Sequence, residues 1–203
     1  MTVYKMQWLI IIAALLITGC APASQPFSPL PPPMPSDIIV RHIYIPLLFF
    51  PVAATPVPSC YATTHAREFV RLMISDSRQE RTVLVCSPAL IRAAQLRGES
   101  LARLGYWSHC DPSGVCPNAV ARSAGCTLPI EYAINGNNIE SLIAGTSDVV
   151  VAWRVLSGSP KHADHLLGQN GFFRAQDSVG VAYVDDPGSK YSFYWVILIA
   201  KCN

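Results

Sequence analysis

A chain of 203 residues with 51% hydrophobic content has room for one ordinary domain, a leader and a tether, and ample apolar mass for a core. Its formal net charge is +2 and its Lys and Arg side chains are dispersed, so there is no basic stripe and nucleic acid is excluded as a partner. After Cys20 no stretch reads as a membrane span, because the most apolar candidate, residues 38–57, is broken by Arg41, His42, Pro46, Pro51 and Pro56.

Residues 1–19 read as a processing signal. Lys5 precedes an apolar run from Trp8 to Ile17, which is shorter than the ~20 residues of a spanning helix and fits the ~7–15 of a secretory signal peptide. The run closes on Leu16-Ile17-Thr18-Gly19-Cys20. That ending resembles the lipobox of bacterial lipoproteins, where the cysteine sulfur receives a diacylglycerol and the peptide is cut in front of it. A lipid on Cys20 is therefore expected, with membrane attachment through it and an extracytoplasmic position at the cell envelope. An ordinary cleaved signal peptide with an incidental cysteine is the alternative. Loss of the leader removes Lys5 and lowers the net charge to +1.

Residues 20–36 carry Pro22, Pro26, Pro29, Pro31, Pro32, Pro33 and Pro35, and so read as an extended tether behind the lipidated cysteine. Residues 37–60 read as an extended apolar lead-in, and residues 61–203 as the folded domain. Setting Cys20 aside leaves Cys60, Cys86, Cys110, Cys116, Cys126 and Cys202, an even number for an oxidising compartment. Three disulfides are expected, and sequence alone does not choose among the pairings. Cys110–Cys116 is the favoured one, since it closes a short loop through Asp111, Pro112 and Gly114. A zinc cluster of His109, Cys110, Cys116 and Cys126 is the poorer reading, for it lacks a paired Cys-x-x-Cys spacing.

Within the domain, Phe69, Leu72 and Met73 give residues 65–75 one apolar helical stripe. Ser87-Pro88 supplies an N-cap and a first-turn proline for a long helix. Leu90, Ala93, Ala94, Leu101 and Leu104 line its inner face, Arg92, Arg97, Glu99 and Arg103 fall largely elsewhere, and Gly105 stops it. Residues 108–129 read as a loop, and Asn135-Gly136-Asn137-Asn138 as a turn. Ser147-Asp148 caps a helix bearing Val149, Val150, Trp153 and Leu156, and Ser159-Pro160 opens a shorter one with His162 and His165. His165 is expected at a cap or in solvent, His65 at a helix start. Residues 178–185 and 191–200 read as a β-hairpin about Asp186-Pro187-Gly188. The second strand is apolar on both faces, which requires helices above and below the sheet.

The order of Gly105-Tyr106-Trp107-Ser108-His109, Gly136-Asn137-Asn138-Ile139, the Trp153 helix, Ser159-Pro160-Lys161-His162 and Ser178-Val179-Gly180-Val181 resembles the bacterial branch of the CAP family. These are the cysteine-rich secretory, antigen 5 and pathogenesis-related proteins, also named by their SCP domain. The resemblance covers residues 61–202 and implies a disulfide-bonded three-layer α-β-α sandwich around a mainly antiparallel sheet. It also implies a cleft lined by two histidines and two acidic residues. By motif the histidines are His109 and His162, which makes them the candidate ligands of a divalent metal such as zinc. The family's Glu in Gly-Glu-Asn-Ile is Asn137 here, and no residue matches the other acidic position. Asn supplies neither negative charge nor a base. Glu140, three residues on, is the candidate to compensate, with Glu131 a weaker one.

The incomplete acidic set leans away from an enzyme. The leading expectation is an exported, anchored binding module offering a His-lined cleft to a small apolar, lipid or cell-wall ligand. Its rivals are a metal-assisted envelope hydrolase, with His109 and His162 as ligands and Glu140 as base, and a surface interaction protein whose cleft is vestigial. Ser108 beside His109 makes no nucleophile, because neighbours at a helix end point apart and no Gly-x-Ser-x-Gly elbow occurs.

Overall fold

Thr63 and Ser87 each turn a side-chain oxygen onto the first turn of a helix, accepting from Ala66 N and Leu90 N, and so start the two helices that frame the domain. The structure is a computed structural model and describes residues 63–202. Cys20, the leader, the tether, the lead-in segment and Cys60 lie outside the described residues. In chain order the elements are α1 (Thr64–Ser75), β1 (Val85–Cys86), α2 (Pro88–Leu104), α3 (Pro117–Ser123) and β2 (Glu140–Ala144). They are followed by α4 (Val149–Gly158), α5 (Pro160–Leu167), α6 (Gly171–Arg174), β3 (Ser178–Asp185) and β4 (Phe193–Ala200).

The sheet runs β1-β3-β4-β2. The β3–β4 and β4–β2 pairs are antiparallel, and the short β1 lies parallel to β3. The expected hairpin therefore sits at the centre, and β4 is covered on both sides. Ala182, Tyr194, Val196, Leu198 and Ala200 pack on one face, in a core that includes Leu90, Ala94 and Leu101 of α2. Val181, Trp195, Ile197 and Ile199 pack on the other, beneath Phe69 and Met73 of α1, Trp153 and Leu156 of α4, and Leu166 of α5. This is the three-layer α-β-α sandwich that the two-faced apolar strand requires. Gly180 permits the closest approach: a Cβ there would overlap the Leu90 backbone, so α2 lies directly on β3 only because the side chain is missing.

Three sequence expectations change. The stretch read as a loop over 108–129 contains α3, begun by Pro117 at its first position and anchored by buried Ala121. The last strand starts at Phe193 rather than Tyr191, because Ser192 adopts a left-handed φ of 61° that ends the turn. Arg97, placed off the apolar face of α2, is 2% exposed, and Leu104, placed on that face, is 46% exposed.

Two disulfides are defined among the described residues. Cys110–Cys116, the favoured pairing, has Cα atoms 4.1 Å apart, and Cys126–Cys202 ties the segment after α3 to the second residue after β4 with Cα atoms 5.1 Å apart. Cys86 is disulfide-bonded as well. These bonds consume Cys110, Cys116 and Cys126, so the alternative zinc cluster with His109 does not exist.

Candidate functional site

The chain leaves α2 through Gly105 in the left-handed conformation, its N–H donating to Leu101 O, and the next four residues carry Trp107 and His109. Arg97, two turns back on α2, holds that segment in place. Its Nη1 donates to the Tyr106 hydroxyl and its Nη2 to Ser108 O at 3.0 Å. The same guanidinium grips Glu140 in two-point fashion, Nε to Oε2 at 2.9 Å and Nη2 to Oε1 at 3.3 Å. The Glu140 side chain is fully buried. Burial opposes the Arg97 charge, but the hydrogen bonds and negative charge of Glu140 hold the guanidinium pKa above its ordinary value.

Glu140 also meets His109, whose Nδ1 lies 3.0 Å from Oε1. A carboxylate only accepts, so Nδ1 carries a proton in this contact, and in the neutral ring Nε2 is then the atom with the lone pair. The candidate that sequence offered as compensation for Asn137 therefore does reach a cleft histidine. It does so as the first residue of a buried strand, not as a helical neighbour three positions on. Glu131 is exposed and takes no part. Asn137 instead braces the turn that leads into β2. Its Oδ1 accepts from Ile139 N at 3.2 Å and Glu140 N at 2.9 Å, and its Nδ2 donates to Glu140 O at 3.3 Å.

From the opposite wall, α5 brings in His162. Burial and the neighbouring His109 both push its pKa down, so its imidazole is neutral at physiological pH. His165, expected at a cap or in solvent, is instead buried. Its Nδ1 lies 2.7 Å from Ser141 Oγ, and its buried Nε2 has no hydrogen-bond partner among the described residues. Burial and the nearby Arg81 charge drive its pKa down to about 3, too low for a working base near neutral pH. Arg81 itself is buried and donates to the carbonyls of His165 and Leu166, fixing the C-terminal turn of α5.

These residues line a groove with two arms. The polar arm, about 260 Å³, is walled by His109, Asn137, Glu140, Lys161, His162 and His165. The apolar arm, about 330 Å³, is walled by Trp107, Leu142, Ala144, Val155, Leu156 and Tyr191. A third space bounded by Trp107, His109, Leu142 and His162 shares lining residues with both. Trp107 and Tyr191 meet edge-on with ring centroids 5.4 Å apart, forming the apolar lip.

Chemically, the groove can bind and orient. Both Glu140 oxygens are committed to Arg97 and His109, so the carboxylate is not free to serve as a base. For a metal, the described residues of the groove offer the imidazoles of His109 and His162. Among the described residues no group of three His, Cys, Asp or Glu side chains is placed to hold an ion. That donor set falls short of the three or four protein ligands of a zinc site.

Sequence reading placed His109, His162, Asn137 and Glu140 together, and the structure brings all of them to the groove. It missed Arg97, the Ser141–His165 pair and the Trp107–Tyr191 lip. Arg97 was within reach of the helical period, standing four residues from both Ala93 and Leu101, which are buried.

No family model matches the chain, and no curated protein does. Two solved structures are similar to it. One is an outer surface protein from Borrelia burgdorferi, 17% identical, with a TM-score of 0.48 over 68% of this chain and 89% of that one. The other is an extracellular protein containing an SCP domain from Bacillus anthracis, 21% identical, with a TM-score of 0.49 over 66% of this chain and 40% of that one.

Proposed function

We propose that this chain is an exported, lipid-anchored binding module of the cell envelope whose groove takes a small amphipathic ligand. The observation that carries the reading is the adjacency of the two arms, which share Ser159 and His162 in their walls, the apolar arm under Trp107 and Tyr191 and the polar arm under His109, Lys161 and His162. A ligand with apolar and polar ends gains from both at once, because each buried apolar group adds to affinity while the polar groups fix orientation. Export rests on the leader and the even set of cysteines after Cys20, and attachment on the lipobox-like ending. The motif order resembling the CAP family accords with an extracytoplasmic setting.

The groove reading is tested with a naphthalene sulfonate dye, whose rings suit the apolar arm and whose anionic group suits Lys161. Saturable fluorescence enhancement is expected, with about tenfold weaker binding in Trp107→Ser, the loss of ~1.4 kcal/mol expected for an anchoring aromatic. Unchanged binding in that variant would overturn the assignment of the groove. Intact-mass spectrometry of the mature protein tests the anchor: cleavage before Cys20 with a diacylglyceryl adduct is expected, and an unmodified Cys20 removes it.

A further inference from the structure

The groove follows the open edge of β2. That strand ends the sheet, and every one of its residues lines one arm or the other: Glu140 and Ser141 the polar arm, and Leu142, Ile143 and Ala144 the apolar arm. Leu142 packs with the core beneath α2, and Ile143 with the core beneath α4, on opposite faces of the sheet. A space touching both lies along the edge between the faces.

The register says which backbone groups this edge presents. Ile139 O accepts from Ile199 N at 2.9 Å, and Gly145 N donates to Phe193 O at 2.9 Å. With Glu140 opposite Leu198 and Ala144 opposite Tyr194, the antiparallel alternation turns Ser141 and Ile143 toward β4. Glu140, Leu142 and Ala144 therefore turn N–H and C=O outward. The Asn137 amide takes both outward groups of Glu140, completing one rung as a neighbouring strand would. Among the described residues, the outward groups of Leu142 and Ala144 have no hydrogen-bond partner.

Building on the groove reading above, we infer that its ligand is an extended peptide with a free C-terminal carboxylate, added as a strand antiparallel to β2. Two rungs, at Ala144 and Leu142, bind the peptide main chain. Side chains on the α2 side of the peptide enter the space under Trp107 and Tyr191. Direction follows from charge. Arg97 neutralises Glu140, so the uncompensated charge at the Glu140 end is that of Lys161, flanked by His109 and His162. A chain end bearing a carboxylate fits there, and an amino terminus does not. An acyl chain would fill the apolar arm but leave four outward backbone groups of Leu142 and Ala144 unsatisfied, at a cost that pairing removes. Strand addition of this kind takes affinity from main-chain bonds and selectivity from alternate side-chain pockets.

Acetylated tetrapeptides randomised at every position, the same pool amidated at the C-terminus, and palmitate are titrated into the full chain with backbone amides observed by NMR. Saturable shifts at the Leu142 and Ala144 amides are expected from the free-carboxylate pool, with about tenfold weaker binding after amidation, as for loss of one charge-assisted contact. N-methylation of the peptide amide opposite Leu142 should weaken binding by about tenfold without touching the protein. Ala144→Pro, which removes an outward N–H and leaves the groups facing β4 in place, should do the same. Indifference to N-methylation overturns the inference, as does the absence of shifts at Leu142 and Ala144. Palmitate binding with no peptide binding leaves the amphipathic groove standing and removes the peptide. Failure of palmitate, peptides and dye together removes both.

Discussion

Arg97 Nε donates to Glu140 Oε2 at 2.9 Å, and with 2% and 0% of their side chains exposed the two residues form a buried ion pair between a helix and the sheet edge. Such a pair is expensive to break from one side, since the survivor is left as an uncompensated buried charge. Glu140→Gln is expected to destabilise the domain by about 3–5 kcal/mol, measured by urea unfolding. The double variant Arg97→Met, Glu140→Leu should recover most of that loss, because a packed apolar pair replaces an ionic one at little net cost. If the single and double variants were equally unstable, the pair would not be the source of the effect.

The same pair sets the tautomer of His109. With Glu140 accepting from Nδ1, the neutral ring, reached at alkaline pH, should show its proton on Nδ1 and a free Nε2 by nitrogen chemical shift. Glu140→Gln keeps one acceptor oxygen without charge, and its NH2 group cannot accept from Nδ1. The expected result is a mixture of the two tautomers, and an unchanged pure Nδ1–H spectrum would show that the carboxylate does not orient the ring.

The architecture was largely legible because its determinants are local and periodic. Ser87-Pro88 and Gly105 delimit α2 at both ends, and the uninterrupted apolar run of β4 announces a strand covered on both faces. What escaped was what depends on distant partners. Nothing near Glu140 says that it opens a strand: β2 is defined by its pairing with β4, fifty or more positions away. Arg97 looked like a solvated side chain because its type outweighed its position, although the helical period put it among buried residues. His165 was misplaced for the related reason that one imidazole on an amphipathic helix does not reveal which side faces the sheet. The groove needed three distant segments at once, with Tyr191 supplied by the approach to β4.

The two defined disulfides should differ in worth. Cys126–Cys202 spans 76 positions and Cys110–Cys116 spans 6. On the loop-closure account, the long bridge contributes about 4.5 kcal/mol and the short one about 2 kcal/mol, by restricting the unfolded chain. Paired alanine replacements compared by urea unfolding should reproduce that order. The short bridge should instead matter to the groove, since it holds the loop immediately after His109. Its removal is expected to weaken dye binding more than stability, and the reverse ranking would place the Cys110–Cys116 loop outside the binding surface.

His165 makes stability depend on pH in a definite direction. Burial lowers its folded pKa to about 3 from an ordinary 6.5, and the nearby Arg81 charge acts in the same sense. The unfolded chain therefore binds a proton that the folded one refuses. The contribution is fully present above pH ~6.5 and drains away as pH falls toward ~3, with a slope of up to about 1.4 kcal/mol per pH unit. Between about pH 7 and pH 5 most carboxylates stay ionised, so histidines dominate the change there. His165→Gln, which leaves a neutral polar group beside Ser141, should be less stable at neutral pH and show a shallower decline across that window. A variant as pH-sensitive as the parent would assign the slope to His162, whose pKa is displaced in the same direction and which a His162→Gln control would then flatten.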